Sequence, residues 1–167
     1  VEAELSEGGS DWLTPHTCRL RYEFLARGSK KPCTFTWHNG DSVYQPAKPE
    51  AWTWPGEFPN HGSLFIGDRN IGYTDARSSN PRLANRDEMK AFKAEGFPEE
   101  KYPRVAGGPF QEWARAIKDE GPEPGSNFEY SGRLTECMLL GGIAAQYGGR
   151  IEWDAKAMKI TNRPELN

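Results

Sequence analysis

Strict alternation is the clearest pattern along the chain. In "CRLRYEF" (18–24), Cys18, Leu20, Tyr22 and Phe24 fall on one side and Arg19, Arg21 and Glu23 on the other. That period of two is the mark of a half-buried strand. "CTFTW" (33–37) alternates again after a turn that holds Gly28 and two lysines, so the two stretches predict an antiparallel hairpin with one dry and one wet face. "HNGD" (38–41) supplies turn chemistry at its end. Residues 1–5 read as a strand end. "GSLFIGDRNIGYT" (62–74) predicts a second hairpin turning at 67–70, and "RIEW" and "MKIT" predict two last strands joined by "DAKA".

The period then changes. "NRDE" (85–88) predicts a capping box that opens a short helix with Met89 and Phe92 inward. Pro109 suits a first helical turn. Phe110, Trp113, Ala114 and Ile117 follow at i, i+3, i+4 and i+7, one apolar stripe. "GRLTECMLLGGIAAQYGG" (132–149) predicts the longest helix, from about residue 131 to 147, with paired glycines at its end. Gly141 and Gly142 lie inside that helix, where each costs about 0.5–1 kcal/mol against alanine. Close approach to a sheet is the expected compensation. Residues 42–61, with four prolines, and residues 75–84 and 95–108 read as loops and linker. Strands, short helices, a long helix and strands in segregated order predict an α+β fold, a mostly antiparallel β-sheet covered by a few helices.

Composition narrows the function classes. The chain has 167 residues, 36% hydrophobic, with 18 Gly and 13 Pro. That is one domain's worth of chain with a thin core, more easily understood if another body covers one face. Net charge is −3 without a basic run, so nothing points to nucleic acid or an anionic membrane. No apolar run approaches a membrane span. The chain opens on Val1 rather than Met, and a processed end or a fragment is expected.

Candidate chemistry is sparse. The glycine spacing of "GDRNIGYT" lacks the lysine of a phosphate-binding loop and is read as a hairpin turn. His16, His38 and His61 are scattered, without the short-range pair of a zinc site, so no metal site is assigned. Cys18, Cys33 and Cys137 are odd in number. A bridge between Cys18 and Cys33 requires neighbouring strands that pair them; the alternative is three small hydrophobes. Trp37, Trp52, Trp54 and Tyr44 gather around the proline-rich loop, where aromatics either pack at a core or interface or stack on sugar rings. Trp37, His38, His61 and Arg82, at strand ends or in loops, are the candidate substrate contacts. No catalytic residue is assigned.

A resemblance then enters. The segment "FQEWARAIKDEGPEPGSNFEYSGRLTECMLLGGIAAQYGGRIEWDAKAMKITNRPE" (110–165), with "VEAE" (1–4), "RYEFLARGSKKPCTFTWHNG" (21–40), "GSLFIGD" (62–68) and "PRL" (81–83), resembles the C-terminal domain of the Gfo/Idh/MocA family of bacterial oxidoreductases, the glucose-fructose oxidoreductase and inositol dehydrogenase group. The resemblance implies that residues 1–167 are a single substrate-side and oligomerisation domain, with the N-terminal Rossmann domain absent from this chain. It implies NAD or NADP in the full-length parent and no cofactor bound by this chain alone. It also implies a homo-oligomer through the sheet, a small carbohydrate-like substrate (a sugar, cyclitol or derivative), and a bacterial cytoplasmic or periplasmic setting. The family's E-K-P lysine motif is missing; "KKP" (30–32) belongs to a hairpin turn. The isolated chain is therefore expected to be inactive. An NAD-dependent glycosidase on the same scaffold and a free-standing carbohydrate-binding or scaffold module remain as alternatives.

Overall fold

A computed structural model of the chain describes residues 1–10, 12–40, 45–102 and 104–167. In chain order the strands are β1 (Glu2–Glu7), β2 (Thr17–Phe24), β3 (Cys33–Asn39), β4 (Ser63–Ile66), β5 (Ile71–Thr74), β6 (Arg82–Leu83), β7 (Gly149–Arg150), β8 (Trp153–Asp154) and β9 (Lys159–Ile160). The helices are α1 (Arg86–Glu95), α2 (Gly108–Ile117) and α3 (Phe128–Tyr147). Every strand pairing is antiparallel, and the fold is α+β. The strands divide among three sheets, β3-β2-β1-β7, β4-β5-β6 and β8-β9. The chain forms two compact units, residues 1–45 with 105–167, and residues 46–104.

In the first unit the β2 alternation sets the core. Cys18, Leu20 and Tyr22 are buried together with Ala145 of α3. Ala144, Ile151 and Ile160 form an adjoining cluster, with Ala3, Leu140, Ile143 and Trp153 around it. Only one of the paired glycines explains the close approach. A Cβ on Gly141 would sit 2.8 Å from the Tyr22 ring carbon that bears the hydroxyl and 3.1 Å from Leu20 Cδ1, whereas a Cβ on Gly142 would meet open space. The Ser6 hydroxyl donates to the Ala145 carbonyl at 2.5 Å, a further tie between β1 and the helix. The wet face carries Arg19, whose guanidinium meets Glu4 at 2.6 Å.

Helix α3 begins earlier than the sequence predicts, because the Asn127 carboxamide accepts the Tyr130 amide at 2.9 Å and caps it. "RIEW" is not one strand. Ile151 turns into the core, so Arg150 pairs with β1 while Trp153 pairs with β9. Asn162 bridges the break, accepting the Glu152 amide and donating to the Arg150 carbonyl, each at 2.9 Å. The Asp154 carboxylate accepts the Lys156 and Ala157 amides and shapes the "DAKA" turn.

No bridge joins Cys18 and Cys33. The β2–β3 register sets Cys18 opposite Asn39 and Cys33 opposite Phe24, at opposite ends of the ladder. At about 3.4 Å per residue that is roughly 20 Å, far beyond disulfide reach, and all three thiols are free.

The second unit is built on the β4–β5 hairpin, closed by the Gly67 amide donating to the Asn70 carbonyl at 3.0 Å. The 75–84 stretch, expected as loop, contributes β6 beside β5. Part of the proline-rich loop belongs to the core: Trp52 is buried with Tyr73 and Ala84, its ring edge-on to Phe58 and Tyr73. Asn85 caps α1 by accepting the Asp87 and Glu88 amides. Met89 is buried as expected, but Phe92 is half-exposed and lies edge-on to Phe97. Asp41 and Tyr44 lie outside the described residues.

Candidate functional site

Where the middle of α3, from Arg133 to Leu140, passes the ends of β1 and β2, the first unit leaves a cavity of about 420 Å3. Its apolar lining includes Tyr22, Phe24, Leu140, Ile151 and Trp153. Charged groups stand around it in pairs. Arg21 meets Glu23 at 3.1 Å and Arg150 meets Glu152 at 3.2 Å, both pairs about half-exposed. The Glu136 carboxylate accepts the Trp153 indole N–H. The cavity thus presents hydrogen-bond donors and acceptors beside apolar side chains.

The cavity's reactive groups are quiet. Burial pushes the Cys137 thiol above its ordinary pKa, against a smaller opposite pull from the Val1 ammonium and with a still smaller upward push from Glu136, so it stays protonated and a poor nucleophile. Burial, reinforced by Cys137 and Cys18, pushes the Tyr22 phenol up to about 12. The Tyr22 hydroxyl is buried and has no hydrogen-bond partner among the described residues. No histidine lines the cavity. Among the described residues no group of three His, Cys, Asp or Glu side chains is placed to hold a metal ion. No helix among them is long and apolar enough to cross a membrane. The arrangement can bind and orient a ligand.

None of the four candidate contacts lines this cavity. Trp37 and His38 are neighbours on β3, so they project from opposite faces: Trp37 stands opposite Leu20 on the α3 side, and His38 opposite Arg19 on the wet side. In the second unit the His61 carbonyl accepts the Tyr73 hydroxyl at 2.8 Å, and its ring meets the Asn60 carboxamide oxygen at 2.8 Å. Arg82 is a packing residue there, its guanidinium over the rings of Trp52, Trp54 and Tyr73 at 5.6, 5.4 and 4.8 Å. The Trp54 indole donates to the Leu83 carbonyl at 2.9 Å. Sequence reasoning passes over the cavity residues because Arg21, Glu23 and Glu152 look like an ordinary wet strand face. The usable signal is Trp153 between two acids, an aromatic that has to be buried among charges.

A second feature is the state of α2. Its stripe is helical as the spacing predicts, yet the helix buries no residue. Phe110 is 88% exposed and Ile117 76%. Trp113 is held only at its edge, where its indole donates to Ser126 at 3.3 Å and its ring meets exposed Phe128. No protein-family model, curated protein or solved structure matches the chain.

Proposed function

We propose that this chain is the substrate-side and oligomerisation part of an NAD(P)-dependent oxidoreductase acting on a sugar, cyclitol or derivative. The motifs of residues 110–165 motivate the reading, and the uncovered α2 stripe is the observation that carries it. Phe110 and Ile117 facing water on one amphipathic helix are a covered face without its cover, and the absent Rossmann domain is the cover this reading supplies. The cavity at the sheet end, lined by paired guanidinium and carboxylate groups over Tyr22 and Trp153, is a fitting wall for a polyhydroxylated substrate.

The test is a titration of the chain with NAD and NADP, beside the same chain extended by whatever its coding sequence encodes upstream of Val1. The short form should show no saturable dinucleotide binding and no reduction of NAD(P) with a panel of sugars and cyclitols. The extended form should show both. Dinucleotide binding by residues 1–167 alone, or an upstream sequence without a glycine-rich βαβ unit, overturns the proposal.

A further inference from the structure

Among the described residues β3 is the outermost strand of the first unit's larger sheet, with β2 as its strand neighbour. Its seven residues pair with β2 without a bulge. Exposed strand edges are normally blunted by lysine, proline, a bulge or brevity. β3 uses none of these: its sequence CTFTWHN carries no lysine, no proline and no carboxylate. Cys33 to Trp37 are all exposed.

The strand is also self-complementary. We propose that β3 pairs antiparallel with the β3 of a second copy, about a twofold axis at Thr36. In that register Phe35 falls opposite the partner's Trp37, Thr34 opposite the partner's His38, and Thr36 opposite the partner's Thr36. Phe35 and Trp37 stand opposite Tyr22 and Leu20 of β2, so the new aromatic pairs extend the existing dry face. His38 falls opposite the partner's Thr34 and not the partner's His38, so no like charges oppose each other across the seam. The twofold closes the assembly at two copies and consumes both edges. A seam of this length covers less than the about 800 Å2 per partner of a standard interface, so the dimer exchanges with monomer and its population follows concentration. This specifies the assembly part of the proposed function and fails separately from it.

The experiment is sedimentation velocity over a wide concentration range, with hydrogen exchange at its two ends. The wild-type chain is expected to shift from monomer to dimer, with β3 amides gaining protection in the dimer. Thr36→Glu stands opposite Arg21 in its own chain, which the monomer tolerates, but brings two carboxylates together at the axis. It should weaken the dimer at least ten-fold, and so should Thr36→Lys. An equimolar mixture of the two should dimerise again. Circular dichroism of each variant confirms the fold. A wild-type chain that stays monomeric, a dimer indifferent to both substitutions, or β3 amides that exchange alike at both concentrations overturns the edge pairing. None of these results touches the dinucleotide titration, which judges the wider reading.

Discussion

Gly141 and Gly142 are adjacent and chemically identical, yet they have opposite stability consequences. A methyl on Gly141 collides with the Tyr22 ring and Leu20, both anchored in the core. Overpacking of this kind costs about 1–3 kcal/mol. A methyl on Gly142 meets nothing and removes the helix penalty of glycine, a gain of about 0.5–1 kcal/mol. Thermal melts should show Gly141→Ala falling by several degrees and Gly142→Ala rising; two shifts of the same sign would refute the close approach. Tyr22 adds a second test at this contact. Its buried hydroxyl has no partner among the described residues, so Tyr22→Phe should be neutral or stabilising. Its folded pKa, about 12, lies above the ordinary value near 10. The folded form therefore keeps the phenol neutral while the unfolded chain ionises. Stability from this group is complete below pH 10 and is lost as pH rises toward 12, by about 2 kcal/mol. Alkaline unfolding curves of Tyr22→Phe should lack that component, and superimposable curves would reject it.

At the level of elements, legibility tracked whether a pattern was local. The β2–β3 hairpin, the β2 alternation from Cys18 to Tyr22 and the Asn85 cap are legible because period and capping need only neighbouring residues, whereas the dry face expected of Phe24, Phe35 and Trp37 is exposed. The break in "RIEW" was hidden because it depends on Asn162, ten residues on, replacing a ladder rung. β6 was hidden because two residues beside β5 make no period. The four candidate contacts follow from positions in loops and at strand ends, a rule that does not distinguish the opposite faces of β3 that carry Trp37 and His38, or the contacts Tyr73 makes with the His61 carbonyl and the Arg82 guanidinium. The α2 stripe shows the limit most sharply: spacing predicts the helix and its apolar side but says nothing of what covers that side. Because the stripe is uncovered, Phe110→Ser with Ile117→Ser should barely change the melting temperature and should reduce binding of a hydrophobic dye. Met89→Ala, at a buried site on the similarly short α1, should cost about 2–5 kcal/mol. A comparable loss from the α2 pair would mean that this helix is packed after all.

For the molecule as a whole, the sparse core bears on how stability is acquired. Few large side chains are buried among the described residues, chiefly Tyr22, Trp52, Tyr73, Met89, Ile151 and Ile160, and aromatic and aliphatic groups stand exposed on α2, α3 and β3. Burial at this level leaves a small margin over the conformational entropy of folding. Association then becomes a sizeable share of the net stability, because any partner that binds only the folded form raises its apparent stability in proportion to the logarithm of concentration. If β3 joins two copies, the melting temperature of the wild-type chain climbs with protein concentration, while that of Thr36→Glu stays flat over the same range. The two should converge at high dilution, where both are monomers. A wild-type melting temperature independent of concentration would separate the thin core from the strand edge and return the explanation to the uncovered face of α2.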